Sequence, residues 1–199
     1  MTATAVLNGL VLAGGSSRRF GRDKAAVTIA GETLLARTVA LVAPLVSTLR
    51  VSVRPAQASE ALRSAYPLLV DEFPGGGPAA GLLAAHQFAP AAAWLVTACD
   101  LPLLDATALN TLVAARDAGR DATAYASPVD RKPEPLCAIY EPAVLKRLAS
   151  LQARGGSLSP RDLLAGSDTL LLRPERAEAL ANVNEPGDLE RLQNRGLCR

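Results

Sequence analysis

Continuous apolar runs of about five residues alternate along the chain with stretches whose apolar side chains recur at helical spacing. Gly9-Leu10-Val11-Leu12-Ala13 and Trp94-Leu95-Val96-Thr97-Ala98 lack a polar face, as strands covered on both sides do. Leu49-Arg50-Val51-Ser52-Val53 alternates as a strand, and shorter strands are expected at Leu68–Val70, Ala122–Ala126, Leu136–Tyr140 and Thr169–Leu172. Leu34, Leu35, Thr38, Val39 and Val42 share one helical face before Pro44 ends the pattern. Further helices are predicted over Ala58–Ser64, Pro78–Phe88, Asp105–Ala118, Pro142–Gln152 and Pro186–Gln193, while Gly155–Pro160 reads as a loop. This order of strands and helices predicts an α/β fold with three layers, α/β/α: a Rossmann-like, mainly parallel sheet covered on both faces. Ligands then gather at the C-terminal ends of the strands, beside the loops after Ala13, Val70 and Ala98. No internal repeat or linker interrupts the pattern, so a single domain over residues 1–199 is expected.

Composition narrows the chemistry. With 49% hydrophobic residues and a net charge of +2, the chain is neither disordered nor a dedicated nucleic-acid binder. Three Phe, three Tyr and one Trp leave the core to Ala, Leu and Val. One histidine, His86, and three scattered cysteines, Cys99, Cys137 and Cys198, exclude an HExxH helix, a CxxC pair and a Cys/His zinc quartet. His86 lies in an Ala-rich stretch and is read as structural. Glu32, Arg37, Arg50 and Arg54 interrupt the apolar stretches around them well short of a membrane span, so no transmembrane helix is expected. The run Ala5–Gly14 has its arginines behind it rather than before it, so it reads as a strand and not a signal peptide. A cytoplasmic protein without membrane or nucleic-acid partners is expected.

Three stretches could carry chemistry. In Leu12-Ala13-Gly14-Gly15-Ser16-Ser17-Arg18-Arg19-Phe20-Gly21-Arg22-Asp23-Lys24, two glycines follow a buried strand and four cations follow the glycines. Such a loop lets backbone N–H groups approach an anion, although Gly, Ser and Arg also make ordinary basic surface loops. It lacks the Gly-Lys-Ser/Thr ending of a Walker loop. Asp100, in Cys99-Asp100-Leu101-Pro102, leaves a buried strand into a proline turn and offers a hard oxygen to Mg²⁺, or caps a turn. Asp71 follows the Leu68–Val70 strand, where it could accept hydrogen bonds from a base or ribose. The glycines Gly75–Gly77 open a helix whose N-terminus could face a nucleotide.

Together with Pro74, Gly77-Pro78, Asn182-Val183-Asn184-Glu185-Pro186 and Asp188-Leu189, these motifs resemble, in order and spacing from Asn8 to about Gln193, those of the molybdenum cofactor guanylyltransferases. That family lies within the nucleotidyltransferases related to the sugar-phosphate enzymes. The resemblance implies transfer of GMP from GTP to the terminal phosphate of the molybdopterin cofactor, with Mg²⁺ required and pyrophosphate released. By position it implies Leu12, Ala13, Gly14, Gly15, Asp71 and Gly77 around the nucleotide, Lys24 on its phosphates and Asp100 on the metal. Lys24, Asp100, Arg18 and Arg19 form the expected catalytic set, and Asn182 and Asn184 border the molybdopterin. Ser52 stands where relatives commonly carry Asn, and Glu134 where others carry a neutral polar residue or His. The alternatives are a CTP-dependent enzyme, another phosphorylated acceptor, or a non-catalytic nucleotide-binding protein. Expected partners are GTP and molybdopterin, with transient contacts to other proteins of cofactor synthesis, and a monomer is expected.

Overall fold

A computed structural model describes residues 4–15, 20–73, 77–156 and 158–194. Seven strands form the main sheet: β1 (Leu7–Leu12), β4 (Leu49–Val53), β5 (Leu68–Val70), β6 (Ala93–Ala98), β7 (Ala122–Ala126), β8 (Pro133–Tyr140) and β9 (Thr169–Leu172). A two-residue pair, β2 (Thr28–Ile29) and β3 (Glu32–Thr33), makes a separate hairpin. The order across the main sheet is β5-β4-β1-β6-β8-β7-β9. The chain therefore works outwards from β1 to β5, then crosses to the other side of β1 through α3 (Pro78–Phe88). That reversal places a crevice at the C-terminal end of β1.

Successive residues of the central strands feed opposite cores. Val11, Leu95 and Ile139 pack with Leu35 and Val42 of α1 (Leu34–Val42) and with Leu109 and Leu112 of α4 (Ala106–Ala114). Leu10, Val96, Ala138 and Tyr140 face the other way, onto Leu82 and Leu83 of α3, Leu145 and Leu148 of α5 (Pro142–Ala153), and Leu164 of α6 (Pro160–Ala165). Burial on both faces is why these strands read as unbroken apolar runs. The three-layer α/β architecture is thus as expected. A third cluster, Phe20, Val27, Ile29, Leu34, Leu103, Val183 and Leu192, joins the segment after the glycine loop to the final helix α7 (Pro186–Asn194).

Several elements differ from the sequence expectation. β8 runs antiparallel to both neighbours, because residues 127–132 form a turn too short for the crossover that parallel strands need. β8 also begins three residues before Leu136, at Pro133. The stretch ending at Pro160 opens a helix, α6, in which Ser159 accepts from the Asp162 N–H and Pro160 occupies the first turn. Ala58–Ser64 is not one helix: a 3-10 turn at Pro55–Gln57 precedes the single turn of α2 (Ala61–Ser64). The β2–β3 turn places Ala30 and Gly31 at positive φ, the geometry of a tight hairpin.

Candidate active site

The strand ends assemble the site by extending their ladders into the loops. Ala13 N–H donates to the Ser52 carbonyl at 3.0 Å, Cys99 N–H to the Leu12 carbonyl at 3.2 Å, and Asp71 N–H to the Val53 carbonyl at 2.9 Å. Gly14, Asp71 and Asp100 therefore emerge from one edge of the sheet. A Cβ at Gly14 would lie 3.3 Å from the Arg54 nitrogen and 3.4 Å from Asp71 Oδ2, a tight fit that favours glycine where the two loops approach. Val183 N–H donates to the Asp100 carbonyl at 3.0 Å, which brings in the segment with Asn182 and Asn184 from the far end of the chain.

At the centre, Lys24 Nζ donates to Asp100 Oδ2 and to Asn184 Oδ1, both at 2.9 Å. Lys24 and Asp100 are about one-sixth exposed, open enough to meet a ligand and sheltered enough for their charges to count. Asn184 is held by Asp188, whose Oδ2 accepts from the Asn184 N–H at 2.8 Å and the Glu185 N–H at 2.9 Å. Asn182 is exposed on the same segment, with buried Val183 between the two asparagines.

The far atom of Asp100, Oδ1, is buried and has no hydrogen-bond partner among the described residues. A buried carboxylate oxygen left without a donor suits a hard divalent ion. Among the described residues no cluster of three or more His, Cys, Asp or Glu could enclose a metal. Mg²⁺ is satisfied by one carboxylate when substrate phosphates and waters complete its shell, so the donor set fits.

Asp71, 8% exposed, lies beside Gly14 where β5 ends. Burial pushes its carboxyl up to about 6, against a long 3.5 Å hydrogen bond from Ser52 Oγ and the charge of Arg54. Leu12 ends β1 and Ala13 follows it, and Gly15 is exposed. Gly77, at φ +52°, is the exposed N-cap of α3, immediately before Pro78. Arg18 and Arg19 lie outside the described residues.

Because β8 is reversed, its N-terminal end reaches the same edge as Asp100. Glu134 there is raised by burial, with a smaller upward push from the Asp100 charge, while Arg161 of α6 donates to it at 3.3 Å. Arg161 also reaches Asp130 at 3.1 Å in the turn between β7 and β8.

One residue that the sequence did not single out is Arg63. It is 1% exposed and joins Ala13, Asp23 and Glu60. A lone arginine in a one-turn helix has no periodic signal, and two of its three partners, Asp23 and Ala13, lie 40 and 50 residues away in sequence.

Comparison with known proteins adds a family. The model of the MobA-like NTP transferase domain matches residues 9–183. The chain is 36% identical over 201 residues to the "Probable molybdenum cofactor guanylyltransferase" of Opitutus terrae, covering 96% of this chain and 97% of that one. It is 35% identical over 182 residues to the "Molybdenum cofactor biosynthesis bifunctional protein" of Synechocystis sp., covering 92% of this chain but about half, 52%, of that longer protein. Among solved structures, the molybdopterin-guanine dinucleotide biosynthesis protein A of Archaeoglobus fulgidus superposes with a TM-score of 0.77 at 25% identity, over 95% of this chain and 98% of that one.

Proposed function

This chain belongs to the MobA-like NTP transferase family, and from that premise we propose that it transfers GMP from GTP to the terminal phosphate of the molybdopterin cofactor. The products are the guanine dinucleotide form of the cofactor and pyrophosphate. The observation that carries the reading is the meeting of Lys24 and Asp100, 76 residues apart in sequence and 2.9 Å apart in space, at the end of β1. A phosphate-binding cation and a metal-binding carboxylate there are the two groups that nucleotidyl transfer needs. The guanylyltransferase names of relatives that align along nearly their whole length support guanine as the base and molybdopterin as the acceptor.

In this reading the Gly14 and Gly15 amides and Lys24 hold the triphosphate, and Arg18 and Arg19 add charge from the same loop. Asp71 accepts from the nucleoside. Asp100 would hold Mg²⁺ through Oδ1, and the ion when bound neutralises charge on the reacting phosphates. An acceptor phosphate is ionised at neutral pH, so in-line attack on the α-phosphorus needs no histidine base. Positioning and charge stabilisation by Lys24 and the loop amides supply the catalysis. Asn182 and Asn184 sit where the acceptor would arrive.

The deciding experiment is turnover of radiolabelled GTP, and of CTP in parallel, against a molybdopterin-containing acceptor. Guanine-labelled dinucleotide and pyrophosphate are expected from GTP alone. Labelled product from CTP instead would overturn the base assignment, and nucleotide binding without any product would overturn the enzymatic one.

A further inference from the structure

Arg63 is the most deeply buried charged side chain among the described residues. Its five N–H groups are all used. Nε and Nη2 donate to the Ala13 carbonyl at 3.1 and 2.9 Å. Nη1 and Nη2 donate to the two oxygens of Asp23 at 2.7 and 2.8 Å, and the remaining Nη1 donor goes to Glu60. A guanidinium is costly to bury, and a site that meets its whole fork repays close inspection of what the fork holds.

It holds both ends of one loop. Ala13 is where β1 enters the glycine segment, and Asp23 is the residue before Lys24. Drawing the Ala13 carbonyl towards Arg63 fixes the peptide plane shared with Gly14, so the Gly14 N–H points to the opposite side, away from the guanidinium. Asp23 uses Oδ1 a second time, accepting the Ala25 N–H at 3.1 Å, and so caps the 3-10 turn Lys24–Ala26. Burial opposes ionisation of Asp23, but the hydrogen bond and charge of Arg63 outweigh it and keep the carboxyl below its ordinary value. The orientation of Lys24 towards Asp100 thus starts from a cap that Arg63 fixes.

We infer that Arg63 is a positioning residue for the nucleotide: it clamps the two ends of the phosphate-binding loop, aiming the Gly14 N–H and Lys24 without touching substrate. This rests on the assignment of that loop to a nucleoside triphosphate. A structural arginine would need only charge compensation. A clamp needs the planar fork, which lysine cannot reproduce.

The test uses GTP binding by calorimetry, thermal unfolding, and kcat and KM on the full chain carrying Arg63→Lys, Arg63→Ala or Asp23→Asn. Losing charge-assisted bonds that orient the loop should weaken GTP binding about tenfold or more in each variant. Guanidinium chloride, well below denaturing concentrations, should restore GTP binding to Arg63→Ala, whereas the same concentration of sodium chloride should not. Arg63→Lys that binds GTP like the wild type, or a folded Arg63→Ala that guanidinium fails to rescue, overturns the inference. If Arg63→Ala does not fold, Asp23→Asn decides, because Asp23 is one-third exposed: unchanged GTP affinity and KM there overturn the clamp. Wild-type protein that binds no GTP brings down the underlying nucleotide reading, whereas wild-type binding matched by all variants brings down the clamp alone.

Discussion

At Asp71 the position that suits a ligand works against stability. Its carboxyl has a folded value of about 6 against 3.8 for an ordinary Asp, with burial as the main cause. Between these values the folded chain keeps a proton that the unfolded chain has released, so this group's contribution to stability falls as pH rises through the window and stays low above it. Asp71→Asn should therefore melt a few degrees above the wild type at neutral pH, with the difference closing as the pH is lowered towards 4. The same variant should bind GTP more weakly at neutral pH, and wild-type affinity should decline more steeply below about pH 6 than that of the variant, which feels only the titration of the GTP phosphates. Melting curves and calorimetry over a pH series check both. Asp100→Ala should lower pyrophosphate release by at least about 10²-fold, the scale of one lost electrostatic stabiliser, while the melting temperature stays near that of the wild type. Asp71 and Asp100 were legible because each follows an apolar run, where a charge has a fixed direction, and Lys24 because it closes a glycine- and arginine-rich loop behind another such run. Arg63 was not, because nothing local distinguishes a clamp from a surface arginine.

Among the elements, α3 shows how closely a helix can seat against the site. A Cβ at Gly81 would come within 2.6 Å of both Leu12 Cδ2 and Ser52 Oγ. Gly81→Ala should cost about 1–3 kcal/mol by overpacking, read as a lower urea midpoint, and should also raise KM for GTP because Leu12 ends β1 at the crevice and Ser52 bonds Asp71. The bounds of α3 could be read from the sequence, since Pro78 marks the first turn and the apolar run ends at Phe88. α6 carried an equally physical signal in Ser159-Pro160-Arg161-Asp162, which the glycines before it obscured. The direction of β8 could not be read from its own residues. A strand buried on both faces looks the same in either orientation, and only the length of the 127–132 turn distinguishes them.

Over the whole molecule, the edge opposite the site is tied by Arg116. It donates to Glu141 through Nε at 2.6 Å and Nη2 at 3.0 Å, and to the Ala5 carbonyl at 2.8 Å, joining the entrance of β1 to the exit of β8. Arg116→Met would strand Glu141, 3% exposed, without a counter-charge, at a cost of about 3–5 kcal/mol. The expected result is a markedly lower denaturation midpoint with KM for GTP unchanged, because Asp100 lies at the other end of the strands. A rise in KM matching the loss of stability would refute that separation. The reversal of β8 also bears on how such a protein can change over generations. The side with Gly14, Asp71 and Asp100 is made of strand ends, whose positions are locked by the sheet. Glu134 and the turn at 127–132 reach the same crevice as a hairpin tip, which can lengthen, shorten or exchange its side chains without shifting a strand. One half of the crevice is thus fixed by construction, and the other is free to change its shape and its side chains.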